Sequence, residues 1–360
     1  MFNNIRVFSF TGHELFPVSM LRRKINMVRI LLLTCMLYAM TGYTTQNILD
    51  INDRENIPLL SRTLFLDLTR AGENIIAVGE RGHILVSQDE QIWQKSVVPS
   101  DATLTSVYFH DDKNGWAAGH DAVILKTTDG GRHWREVYAV PEDQIPLLDI
   151  WFADNQYGIA IGAYGLFLVS TDGGETWIQQ EMNTIHDNDD TEITNDLTES
   201  YELHLNNITY SSSGKLYIAA EAGRIYRSDD LGKNWKELPS PYAGSFFGIQ
   251  PLENDSVIVY GLRGHMYRSD DAGESWIEIY TDTRELLAKS VQLHDGRIIV
   301  TGMGGALLIS DDHGSSFKLN ELGHRHNYAA VIESGKNGIM VAGDHGIEFW
   351  KREQLGITDD

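Results

Sequence analysis

Between Phe246 and Tyr280 the chain alternates short apolar runs with turn-forming residues: FFGIQP, SVIVYG, GHMYRS and WIEIY, separated by glycine, asparagine and aspartate. Each run is too short for a helix and is rich in β-branched and aromatic residues, the mark of strands packed on both faces. The same pattern recurs along most of the chain. A G-x-x-G turn between two apolar runs begins at Gly79, Gly119, Gly162, Ala220, Gly261, Gly302 and Gly343, with gaps of 40, 43, 58, 41, 41 and 41. Four strands per unit of about 40 residues is the arithmetic of a propeller blade. The pattern therefore predicts an all-β fold, a seven-bladed β-propeller of four-stranded blades.

A second signal follows each turn by five or six residues. STDGGETW (Ser170–Trp177), SDDLGKNW, SDDAGESW and SDDHGSSF are close copies, TTDGGRHW is a near variant, and SQDEQIW (Ser87–Trp93) is shortened and lacks glycine. This is the Asp-box, or bacterial neuraminidase, repeat. Its aspartates, Asp89, Asp129, Asp172, Asp230, Asp271 and Asp312, are expected to cap tight turns by accepting backbone N–H bonds. Glycine supplies positive φ and the aromatic residue packs between sheets. Adjacent acids such as Asp270 and Asp271 point apart on extended chain, so no metal is assigned to them.

Two irregularities carry information. The seventh repeat (NYAAVIES, GIMVAG, GIEFWKR) has three strands and no Asp-box, so the N-terminal segment Asn47–Leu60 is expected to supply its outer strand and close the ring. The gap of 58 places an insertion, polar and acidic, over Asn183–Glu202, read as a mobile surface loop. It lacks the glycine and distal glutamate of an EF-hand. The propeller is assigned to 43–352 and a tail to 353–360.

Composition narrows the function. Lys+Arg 29 against Asp+Glu 51 leaves a net charge of −22, which disfavours a nucleic-acid partner. Cys35 is the single cysteine, which excludes structural disulfides and cysteine-ligated metal clusters. Arg22, Arg23, Lys24 and Arg29 precede the apolar run Ile30–Met40, with small and polar residues after it. Those are the parts of a signal peptide over 1–42, and the run is short for a membrane span, although an N-terminal anchor is the alternative. An exported, periplasmic, monomeric protein is expected.

In a propeller the b–c turns and the d–a crossovers share one face, and the Asp-boxes lie on the other. The G-x-x-G turns should therefore present Arg81, His120, Tyr164, Arg263 and His345 around one mouth, with Arg224 just beyond a turn. Crossovers add Arg62, Arg284, His324, Arg325 and His326. These cations on an acidic protein suggest an anion-accepting, partner-binding patch. His324 and His326 could ligate a metal only with partners from other blades, and no metal or cofactor is assigned. An alternative function is a carbohydrate-binding or glycoside-cleaving (sialidase-like) propeller. However, the chain shows no Arg-Ile-Pro segment, no evident acid pair and no G-x-S-x-G, H-E-x-x-H or Walker element.

The segments GENIIAVGERGHILVSQD, KNGWAAGHDAVILKTTDGGRHW and YGIAIGAYGLFLVSTDGGETW resemble the photosystem II stability/assembly factor family, and the likeness extends from Asn47 to Arg352. The resemblance implies a seven-bladed, non-enzymatic assembly factor that holds a membrane protein on an arginine-bearing face. The matching positions are Arg81 and Arg263, with Arg224 beside them. The family's patch is denser, since His120, Tyr164 and Met303 replace cations here. The chain is more similar to periplasmic members from non-photosynthetic bacteria, which accompany exporters of the resistance–nodulation–division class.

Overall fold

Strands dominate because every apolar run is bounded by residues that turn the chain within a few positions. A computed structural model describes residues 63–185, 203–320, 322–335 and 337–357. They form seven sheets, antiparallel except for one added edge strand, arranged as the blades of a propeller. The innermost strands are β1 (Phe65–Ala71), β5 (Leu104–Phe109), β9 (Leu147–Phe152), β14 (Leu205–Tyr210), β18 (Phe246–Pro251), β22 (Leu287–Gln292) and β26 (Tyr328–Ser334). Each packs beside the next, and β26 packs beside β1, so the ring is closed among the described residues.

The core is divided by blade junction. Seven apolar clusters fill the gaps between neighbouring blades. One of them joins Phe65 and Leu68 of blade one to Ala330, Met340 and Ala342 of blade seven. Burying both faces of every sheet in this way is what the two-sided apolar strands require.

Each innermost strand carries a β-bulge after its first residue. The residue after the bulge in β1, β5, β9, β14 and β22 is Asp67, Ser106, Asp149, Asn207 and Lys289, so polar groups gather in the middle of the ring. Asp67 accepts from the Val107 N–H at 3.0 Å, Asp149 from Ile208 N–H at 2.9 Å, and Asn207 from Ile249 N–H at 3.1 Å, each linking one blade to the next. Lys289 reaches from blade six to Asp67 of blade one at 3.0 Å. Burial pushes the Asp67 carboxyl up, and Lys289 pulls it back down. Burial also works against the Lys289 ammonium, but Asp67 and Asp149 outweigh it and hold the ammonium charged well above the ordinary lysine range.

Three expectations meet differences or limits. Blade seven shows three strands, β26, β27 (Gly338–Gly343) and β28 (Gly346–Lys351), and the segment Asn47–Leu60 expected to complete it lies outside the described residues. The insertion does not begin as a loop. Thr184–Ile185 forms strand β13, parallel to the outer strand β17 (Trp235–Glu237) of blade four. A free sheet edge offers unpaired N–H and C=O groups, and this segment takes them. Residues 186–202 lie outside the described set. Finally, the tail is not separate from the propeller: Leu355 and Ile357 are buried in the cluster between blades six and seven, where Asn320 donates to the Leu355 carbonyl at 3.0 Å.

Candidate partner-binding face

Both glycines of the G-x-x-G turn answer to long-range packing. A Cβ on Gly261 would lie 2.3 Å from the Ser245 carbonyl oxygen, on the crossover that enters blade five. One on Gly264 would lie 2.3 Å from the Thr283 carbonyl oxygen, on the crossover that leaves it. The same double clamp holds Gly79 and Gly82, against Leu64 and Ser100. In each of the seven repeats the turn's first N–H donates to the carbonyl just before the innermost strand; Leu262 to Ser245, at 3.1 Å, is typical. The turns are thus locked between crossovers, and the two kinds of loop form one face.

The second residue of the turn is left-handed. Arg81, Asp121, Tyr164, Ala222 and Arg263 have φ between 53° and 58°. Glycine would adopt this conformation at less cost, so a side chain here trades backbone comfort for projection from the rim. Blade seven differs, because its Gly343–Gly346 connection is a tight hairpin in which Gly346 alone has positive φ.

The structure separates the expected cluster into local groups. Arg81 and Arg263 are exposed and make no hydrogen bond or ion pair among the described residues. Arg263 lines a shallow groove of about 800 Å³ with Arg284, His265, Tyr280 and Thr283. Tyr280, at 81% exposure, is the most exposed large hydrophobic side chain among the described residues. Sequence reasoning passed over it, although its place directly after Ile279 on an outer strand puts it on the open side of the sheet. His120 is exposed on blade two. Tyr164 meets His204 edge to face, with ring centroids 5.0 Å apart. Arg224 is ion-paired to Glu237, and Arg325 to Glu285, so neither guanidinium stands open as an anion site. Acids Glu80, Asp121, Glu221 and Asp344 share the turns with these cations. The face is therefore mixed, with its open cations at Arg81, Arg263 and Arg284. Arg62 lies outside the described residues.

His345 stacks on His326 with centroids 3.6 Å apart, and His326 stacks on His324 at 4.1 Å. His324, His326 and Glu348 are the residues here that could hold a metal.

The Asp-boxes occupy the opposite face. Asp172 accepts from the N–H groups of Glu175 and Thr176 at 3.0 and 2.9 Å, and from the Ser170 and Thr176 hydroxyls at 2.9 and 2.6 Å. Asp271 is held in the same way by Ser269 and Ser275. The Thr176 hydroxyl and N–H pull the Asp172 carboxyl down to about 2, and the Ser275 hydroxyl chiefly does the same to Asp271, also to about 2. Asp89, Asp129, Asp230 and Asp312 likewise accept from backbone N–H groups of their own turns. The boxes also join blades. A Cβ on Gly174 would lie 2.3 Å from Trp116 Nε1 of the preceding blade, and that indole donates to the Gly173 carbonyl at 3.1 Å.

Solved structures place this architecture among known propellers. A structure described as YCF48 bound to D1 peptide superposes with a TM-score of 0.61 at 18% identity, covering 79% of this chain and 92% of its own. YCF48 from Cyanidioschyzon merolae gives 0.63 at 16% identity, covering 81% and 96%. The WD40 propeller domain of Doa1 gives 0.61 at 13% identity, covering 81% and 95%. No curated protein sequence matches the chain. The family model for Photosynthesis system II assembly factor YCF48 matches residues 85–145 and 136–296, more than half of the sequence, and the chain belongs to that family.

Proposed function

We propose that this chain is an exported, non-enzymatic assembly factor whose b–c face holds a segment of a membrane-protein partner. The observation that carries the reading is the groove where Arg263 and Arg284 flank the exposed Tyr280, with neither guanidinium engaged by the described residues. A guanidinium fork takes carboxylates bidentately, and an exposed tyrosine beside it supplies apolar contact area, the pairing found at interface hot spots. Family membership supports the same class of role, and a solved relative carries a D1 peptide. What is carried over is the mode, a peptide segment held on a propeller.

Export rests on the basic residues Arg22–Arg29 ahead of Ile30–Met40. The finer placement, a periplasmic monomer beside an exporter of the resistance–nodulation–division class, rests on the resemblance to members from non-photosynthetic bacteria. Affinity capture from detergent-solubilised envelope tests the reading, with an unrelated propeller of similar charge as control. Enrichment of a specific integral membrane protein is the expected result. Enrichment of glycans or soluble proteins alone would overturn it.

A further inference from the structure

The crossover into blade seven, the hairpin Gly343–Gly346 and strand β28 bring three histidines and a glutamate together at the edge of the b–c face. The ligand-capable atoms of His324, His326 and Glu348 all lie within 4.8 Å of one another, and each residue is part-buried. We propose that these three residues form a binding site for a borderline divalent transition metal, zinc in the first instance, with the remaining coordination positions open to solvent.

Four features converge on a cation. Glu348 has its two oxygens differently employed: Trp350 Nε1 donates to Oε2 at 3.1 Å, while Oε1 faces His326 Nδ1 at 3.4 Å. The indole thus fixes the carboxylate and leaves one oxygen directed at the imidazoles, the arrangement that orients metal-ligating carboxylates. His324 Nδ1 is buried and has no hydrogen-bond partner among the described residues, as is the Tyr328 hydroxyl beside it. Buried polar atoms without partners are uncommon and point to an unsatisfied ligand. The imidazoles stack face to face, at 4.1 Å for His324 and His326 and at 3.6 Å for His326 and His345. The stack holds the rings of His324 and His326 in place beside Glu348. Lastly, His345 Nδ1 is engaged by the Asp344 carboxylate at 2.9 Å, which fixes the orientation of the outermost ring and supports the stack.

The donor set decides the class of ion. Two imidazole nitrogens and one carboxylate oxygen suit zinc, cobalt or nickel, whereas calcium and magnesium require oxygen ligands. Zinc–ligand bonds of about 2.0–2.2 Å bring neighbouring donors closer than 4.8 Å, so modest side-chain rotation closes the site. The sequence places His324 and His326 on one crossover and expects any third ligand from another blade; instead Glu348 comes from blade seven itself, brought back by the Gly343–Gly346 hairpin. The proposal does not depend on the partner-binding reading and is tested without a partner.

Tag-free protein stripped with a chelator is titrated with zinc chloride by calorimetry and with cobalt(II) by visible absorption. The expected result is one saturable equivalent of zinc and the intense visible bands of a nitrogen-ligated, low-coordinate cobalt. Glu348→Gln keeps the shape of the side chain and an acceptor for Trp350, and His326→Ala removes a ligand; each should weaken binding at least about tenfold. His133→Ala, on the Asp-box face, should leave it unchanged. Absence of saturable binding in the wild type would overturn the site. So would equal affinity in wild type and Glu348→Gln, a variant whose fold is checked by circular dichroism.

Discussion

The backbone N–H of Gly335 in blade seven donates to Oε1 of Glu90 in blade one at 2.9 Å. Glu90 follows Asp89 in the shortened Asp-box of the first repeat, at the position of Leu231, Ala272 and His313, and like them has positive φ, 61°. The same carboxylate accepts from the Ser334 hydroxyl and, at 3.0 Å, from Arg70 Nη2. A carboxylate where the other boxes carry Gly, Leu, Ala or His thus ties the first blade to the last, at the one junction where the chain must close on itself. These bonds lower the Glu90 carboxyl despite the opposing effect of burial.

Replacing Glu90 should open that seam. Glu90→Ala removes the shared acceptor of the Ser334 hydroxyl, the Gly335 N–H and Arg70, and should cost about 1–3 kcal/mol. Glu90→Gly relaxes the positive φ and should still destabilise, because the carboxylate is what joins the blades. Thermal or urea unfolding measures both. An unchanged midpoint in Glu90→Gly would show that the seam is held by its apolar cluster alone.

The Asp-boxes should set the acid limit of the fold. Asp172 and Asp271 titrate near 2 in the folded chain, below the ordinary aspartate value near 4. A carboxyl depressed on folding stabilises above its unfolded pKa, and that contribution fades as pH falls from about 4 to about 2. Asp172→Ala or Asp271→Ala should cost about 1–3 kcal/mol at neutral pH by stripping partners from turn N–H groups. Each variant should also show a shallower loss of stability across the acid window. Midpoints measured from pH 6 to pH 2 decide it, and parallel curves for wild type and variant would refute the assignment.

The centre of the ring makes a separate prediction. Lys289 pairs with the buried Asp67, and its own side chain is 32% exposed. Lys289→Met leaves the Asp67 carboxylate without its counter-charge and should cost about 1–3 kcal/mol, less than breaking a fully buried pair. Adding Asp67→Asn should restore part of that loss. A double variant no more stable than Lys289→Met alone would mean the two groups are not coupled.

Much of the architecture was legible because its causes are local. Strand length, the G-x-x-G turn and the Asp-box repeat at one period, so blade number and the two faces follow from spacing. What escaped was set by side-chain and backbone contacts that the repeat spacing does not encode. The second glycine is required by a carbonyl on the next crossover, as with Gly264 and Thr283, which a repeat pattern marks but cannot explain. Arg224 read as an open cation until the strand register brought Glu237 to it. Leu355 and Ile357 follow the last strand and looked like a tail, yet they fill the junction between blades six and seven. Glu90 was visible only as a defect in its box, and Tyr280 as the last residue of a strand.

If the b–c face holds the partner, its open cations Arg81 and Arg263 should carry the capture. This is tested most directly by comparing partner affinity of wild type with that of Arg81→Glu, Arg263→Glu over a salt series, after circular dichroism confirms that both fold. The prediction is a loss of at least about tenfold at low salt, about 1.4 kcal/mol, shrinking as salt screens the rim charges. Equal affinity at every salt concentration would move the binding site away from this face.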